Sequence, residues 1–135
     1  MTRRSLFGIF FLAMASAIGS FSLGATSAIA SEKAYFVDIL YLKEGKTPED
    51  AKAYFDKVLP IIAKHGLLRA APGFVITKKM SGDIDPNLVN VWSVSDQENT
   101  FSNIFADPAY LENVPLRDTT FDMSRSHMFM LKATE

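Results

Sequence analysis

Residues 35–42, YFVDILYL, constrain the fold more than any other stretch, because they are apolar on both faces. In extended backbone, successive side chains point to opposite sides. Tyr35, Val37, Ile39 and Tyr41 therefore share one face, and Phe36, Asp38, Leu40 and Leu42 share the other. Only Asp38 breaks the pattern. A strand of this kind needs cover on both sides, and one layer of helices supplies cover on one. In a chain of 135 residues the second layer is most simply a second copy of the same chain.

The length available is shorter than it looks. Arg3-Arg4 begins a stretch that is uncharged and mostly apolar from Leu6 to Leu23, and Ala28-Ile29-Ala30 has the small-x-small form of a cleavage site. Residues 1–30 are therefore expected to be a signal peptide. A membrane anchor is the alternative, since the run approaches the roughly 20 residues that span a bilayer. Its Ser, Gly and Ala content and the cleavage site argue for removal. Thr2 to Phe7 also resembles a twin-arginine signal, so the Sec and twin-arginine routes both stay open. The expected product is a periplasmic or secreted domain, 31–135, with no membrane contact after cleavage.

Of the 14 Lys+Arg, Arg3 and Arg4 fall in the leader, while all 15 Asp+Glu lie beyond it, so the remaining domain carries a net charge of −3. It has no basic run, which excludes nucleic acid as the main partner. It also has no cysteine, which excludes thiol catalysis and thiolate metal sites.

After the first strand, Thr47-Pro48-Glu49-Asp50 reads as a helix start, with Thr47 as N-cap. Ala51, Tyr54, Phe55, Val58, Leu59 and Ile62 follow helical spacing to a stop at Gly66, with a kink expected at Pro60. Leu67 to Met80 reads as a second extended region, most strand-like at Phe74–Thr77. Residues 87–110 then form a strand–helix unit. The strand is Leu88–Val94, the helix Ser95–Ala106, capped at Ser95 or Asp96 and ended by Asp107-Pro108. A short helical turn over Ala109–Leu116 and a last strand over Asp122–Lys132 complete the chain. The order is β-α-β-β-α-β, an α+β, ferredoxin-like arrangement with an antiparallel sheet and both helices on one face.

The chain at this point resembles the dimeric α+β barrel superfamily, which includes antibiotic-biosynthesis-monooxygenase-like, stress-responsive barrel and NIPSNAP-like proteins. The resemblance rests on the element order and on Lys64-His65-Gly66 ending the first helix. It rests also on Val91-Trp92-Ser93-Val94 leading into the second, and on Asp107-Pro108-Ala109-Tyr110 followed by Leu116-Arg117. It implies a homodimer whose sheets pack face to face, and in some members a cavity for substrate or haem. The haem-degrading branch uses an asparagine on the first strand, a tryptophan on the third and a histidine on the second helix. Trp92 matches the tryptophan. Asp38 replaces the asparagine and Ser95–Ala106 has no histidine, so haem degradation by that route is not expected.

Asp38 is the foremost candidate for chemistry. A carboxylate in an apolar strand is either a general base with a raised pKa or one half of a salt bridge to an arginine or lysine. His127, in phase with Arg125, Phe129 and Leu131, reads as an acid, base or haem ligand, or more plainly as a packed strand residue. His65 suits the C-terminal end of its helix. Arg117 fits an anionic group on a substrate or a structural pair with Asp118 or Asp38. Trp92, Tyr35 and Tyr110 read as pocket lining or as core. With two histidines and no clustered ligands there is no metal signal, no phosphate-binding loop exists, and the cofactor stays unassigned.

Three functional expectations follow. The first is a small-molecule-binding barrel with monooxygenase-like or isomerase-like chemistry on an apolar substrate, its cavity ringed by Asp38, Trp92, Arg117 and His127. The second is a non-enzymatic carrier of a ligand or haem, with His127 as the haem ligand. The third is a structural dimer module filled by its own partner.

Overall fold

The computed structural model describes residues 32–134, so the signal peptide read over 1–30 lies outside the described residues. The elements are β1 (Ala34–Leu40), α1 (Pro48–Ala63), β2 (Leu67–Arg69), β3 (Phe74–Val75), β4 (Leu88–Val94), α2 (Thr100–Ala106), α3 (Pro108–Leu111), α4 (Val114–Thr120) and β5 (His127–Lys132). All strand pairs are antiparallel. β1 pairs with β4 from Ala34↔Val94 to Leu40↔Leu88, and with β5 from Ala34↔Lys132 to Ile39↔His127. β2 and β3 both pair with β4 and act as one interrupted edge strand, giving the order β2-β4-β1-β5. This is the ferredoxin-like α+β arrangement. No described helix is long and apolar enough to cross a membrane.

Local chemistry explains most boundaries. Thr47 and Asp50 form a reciprocal cap on α1: the Asp50 amide donates to Thr47 Oγ1 at 3.4 Å, and the Thr47 amide donates to the Asp50 carboxylate at 2.8 Å. Ala51, Tyr54, Phe55, Val58 and Ile62 form its buried stripe. The kink expected at Pro60 does not divide the helix, which runs unbroken to Ala63. Pro60 and Asp56 are both exposed, so water can serve the Asp56 carbonyl that proline leaves without a donor. Gly66 (φ 84°) ends the helical segment where a Cβ would run into the Ser95 side chain.

Elsewhere the boundaries move. The long second strand splits because Pro72 cannot donate a hydrogen bond to the ladder, and the chain leaves β4 between Ala70 and Phe74. The second helix starts at Thr100, because Asp96 closes a turn first by accepting from the amides of Glu98 and Asn99, each at 3.1 Å. The last strand starts at His127. Before it, Asp122 accepts the Ser124 hydroxyl at 2.6 Å and the amides of Arg125 and Ser126 on its carbonyl. The single helical turn expected over 109–116 is two helices, α3 and α4, and Arg117 lies in α4.

The helices pack on one face of the sheet. Buried and half-buried residues alternate along β4, with Leu88, Asn90, Trp92 and Val94 beneath the helices. On β1 the same side holds Ala34, Phe36, Asp38 and Leu40. Phe55 packs on Trp92 and joins Tyr54 and Phe121 in an aromatic cluster, with ring centroids 5.2–5.9 Å apart. The opposite face carries Tyr35, Val37, Ile39, Val89, Val91, Phe129 and Leu131, and nothing among the described residues covers it.

Candidate ligand-binding site

The register of three strands assembles a polar group inside the apolar layer beneath the helices. Asp38 on β1 sits directly across from Asn90 on β4, and Trp92 lies one pleat further along the same face. Arg69 on β2 is paired with Trp92 from the other side. The Asn90 amide Nδ2 donates to Asp38 Oδ1 at 2.6 Å, and Trp92 Nε1 donates to Asp38 Oδ2 at 2.9 Å. Arg69 Nη1 donates to Asn90 Oδ1 at 2.7 Å. Arginine and the indole N–H are donors only, so both ends of the chain of bonds point protons inward and Asp38 must accept at both oxygens.

Asp38 is 7% exposed. Burial pushes its pKa above the ordinary 3.8, against the opposing pull of the Asn90 and Trp92 bonds and of the Arg69 charge. Among the described residues Asp38 forms no direct salt bridge: Asn90 stands between Asp38 and Arg69 and relays a hydrogen bond. The guanidinium lies over two rings, 4.9 Å from the Phe55 centroid and 4.7 Å from Trp92. Burial lowers the Arg69 pKa, opposed by Asp38 and Asp56.

A cavity of about 430 Å³ opens beside this group, between α1 and the β2–β3 edge. Its walls are largely apolar, including Ala51, Phe55, Leu59, Val75 and Leu88, and Arg69 and Asn90 form its polar end. That size and that mixture suit a small organic ligand. Asp38 and Trp92 lie behind Asn90 and do not line it.

Reasoning from the sequence missed Arg69, Asn90 and the cavity. One signal was present: Asn90 occupies the same strand phase as Leu88, Trp92 and Val94, where a polar residue requires partners. Arg69 carried no comparable signal, since its partners arise from strands distant in sequence.

The other predicted residues are divided. Tyr110 and Arg117 meet, Arg117 Nη1 donating to the Tyr110 hydroxyl at 3.3 Å while its Nε donates to Asp118 at 2.8 Å. Burial first, then Tyr110, holds the neighbouring Tyr54 phenol above its usual range. Neither Tyr110 nor Arg117 lines the cavity. His127 and Tyr35 lie on the uncovered face, His127 stacked on Phe129 with centroids 6.4 Å apart. The expected single cavity ringed by Asp38, Trp92, Arg117 and His127 is therefore not formed: the pleat sends Asp38 and His127 to opposite sides of the sheet. His65 Nε2 bonds Asp107 Oδ2 at 2.8 Å, tying the end of α1 to the start of α3. Among the described residues no group of three or more His, Asp or Glu is placed to hold a metal ion.

No protein-family model matches the chain, and no curated protein matches it. Solved structures do. A Rhodopseudomonas palustris protein of unknown function is 18% identical, with a TM-score of 0.62, covering 77% of this chain and 84% of that one. An uncharacterized NIPSNAP domain protein from Burkholderia xenovorans is 19% identical, with a TM-score of 0.58, covering 75% and 94%. SnoaB, a cofactor-independent oxygenase from Streptomyces nogalater, is 15% identical, with a TM-score of 0.53, covering 78% and 96%. At these identities the likeness is one of fold.

Proposed function

We propose that this chain, which has the fold of the dimeric α+β barrel superfamily, is a small-molecule-binding protein that works as a homodimer. Its ligand occupies the cavity between α1 and the β2–β3 edge. The observation that carries this reading is the junction of a largely apolar cavity with a buried polar group at one end. The apolar walls supply most of the binding free energy and the polar end sets orientation.

The dimer rests on the uncovered sheet face. Phe129 is 52% exposed and Leu68 52%, beside half-buried Val37, Ile39, Val89 and Val91. A contiguous apolar surface of this kind calls for a partner, and a second copy presenting the same face closes it symmetrically.

Oxygenase-like chemistry on an apolar substrate, as the Streptomyces nogalater protein's description suggests, is the second reading. The raised pKa of Asp38 favours it. Binding is preferred because a general base must reach the proton it removes, and Asn90 separates Asp38 from the cavity. A haem carrier built on His127 is less well supported, since that ring faces away from the cavity. Export is part of the proposal: residues 1–30 are removed and the remaining domain acts in the periplasm or outside the cell. N-terminal sequencing of the protein recovered from its own cells tests that step.

The deciding experiment is native mass spectrometry on the protein purified from its native source. A dimer carrying a defined small mass is the expected result. A monomer at micromolar concentration overturns the dimer, and a ligand-free dimer that also binds no apolar probe overturns the binding role.

A further inference from the structure

Resting on the reading of this cavity as the binding site, we infer that its ligand is an amphiphilic anion, an apolar body bearing one oxyanion group, and that Arg69 recognises the charge. Arg69 lines the cavity and, unlike four other cations, meets no carboxylate among the described residues; Arg125 likewise meets none, but it is exposed, lies over Tyr41 and does not line the cavity. Lys52, Lys79, Lys132 and Arg117 each meet a carboxylate within 3.4 Å. Arg69 is half-buried and forms no ion pair among the described residues; its one hydrogen bond goes to the neutral amide oxygen of Asn90. A guanidinium stays protonated and presents a fork of donors. Phe55 and Trp92 lie against it, so an approaching group meets its edge, where the donors not used by Asn90 remain. An oxyanion fits that edge in the plane of the fork.

Three carboxylates oppose an anion in this region: Glu49, exposed on the first turn of α1, and Asp56, which both line the cavity, and Asp38 behind Asn90. Asp56 bonds Lys52 at 2.6 Å. Asp38 points its oxygens at Asn90 and Trp92. Gly73 completes the polar end. A Cβ at that position would stand 2.8 Å from Asn90 Oδ1 and 3.0 Å from Arg69 Nη1, so glycine lets the backbone lie against the pair. The apolar walls then hold the ligand's body.

A matched pair of fluorescent probes tests the inference: 8-anilinonaphthalene-1-sulfonate and its uncharged parent, N-phenyl-1-naphthylamine. They share the ring system and differ by the sulfonate. Both are titrated into the wild-type protein, Arg69→Gln and Leu59→Trp, with circular dichroism confirming the fold of each. Arg69→Gln is expected to weaken the sulfonate probe by about tenfold or more, the scale of a charged hydrogen bond, and to leave the neutral probe within about twofold. Equal losses for both probes, or none for either, overturn the role of Arg69. Leu59→Trp fills the cavity and should weaken both probes. If it weakens neither, the probes bind elsewhere and the cavity reading itself fails. If it weakens both while Arg69→Gln weakens neither, the cavity stands and only the anion inference falls. Should Arg69→Gln not fold, Arg69→Lys replaces it. Keeping the charge but losing the planar fork, it should weaken the sulfonate probe alone, and a parallel loss of both probes is again the overturning result.

Discussion

The two faces of one sheet are both mainly apolar, but only one is covered by helices, and only that one holds a buried, bonded polar group. The face beneath the helices buries a carboxylate, an amide, an indole N–H and part of a guanidinium, joined by hydrogen bonds of 2.6–2.9 Å. The other face, free of helices among the described residues, presents valine, isoleucine, phenylalanine and leucine beside Tyr35 and His127. Polar groups under cover are kept for what they bind or position, because burying them costs free energy even when they are paired. Apolar groups without cover indicate a missing partner. The inner face therefore reads as the site and the outer face as the interface.

Substitutions on the inner face should cost protomer stability, and those on the outer face should cost assembly. Trp92→Ala is the largest expected effect: it empties a position only 1% exposed and removes one donor to Asp38. A loss of roughly 3–5 kcal/mol in urea unfolding is expected, and a loss under 1 kcal/mol would show that the aromatic cluster does not hold the protomer. Phe129→Asp on the outer face should raise the dimer dissociation constant by about a hundredfold or more, by burying an unpaired charge at the contact. Sedimentation equilibrium measures it, while circular dichroism should show an unchanged protomer; an unaltered dimer would place the interface elsewhere.

Asp38→Asn is a subtler test of the inner face. Asparagine offers one acceptor oxygen where two donors arrive, so an amide donor faces a donor. The cost should be about 1–3 kcal/mol. The pH dependence has a definite sign. The folded pKa of Asp38 lies above the ordinary 3.8, so its ionised form is disfavoured by folding. That penalty is absent below the unfolded pKa and grows as pH rises through the folded one. The stability advantage of the wild type over Asp38→Asn should therefore shrink as pH rises across that window. A constant difference would mean that Asp38 titrates alike in both states.

His65→Ala lies off both faces and should give the smallest shift in Tm, with dimerisation and probe binding unchanged. The His65 bond holds the Asp107 pKa below 3.8, so its contribution is present above that value and is lost as pH falls through the folded pKa. The Tm difference between variant and wild type should accordingly narrow in acid. A difference that widens there would contradict the pairing.

Much of the fold was legible because it depends on local periodicity. The apolar run at 35–42, the cap at Thr47–Asp50 and the stop at Gly66 are short-range signals, and they led to the right element order. Misplaced boundaries came where side chains competed with the backbone: Asp96 and Asp122 close turns that delay α2 and β5. Of the candidate site, Asp38 and Trp92 were legible as unusual residues in apolar strands. Their contact was not, since it joins positions 54 residues apart.

By itself the sequence determined which faces of the strands are apolar, and hence that one helical layer leaves a sheet face uncovered. It also settled the α+β order, through spacings of two in strands and near 3.6 in helices. Only the tertiary structure decided which polar residues meet. Strand register set Asn90 between Asp38 and Arg69, turned His127 to the other side, and opened the cavity next to Arg69 and Asn90. The physical reason is that periodicity is a property of neighbours along the chain, whereas register and packing are properties of strands brought together from opposite ends of it.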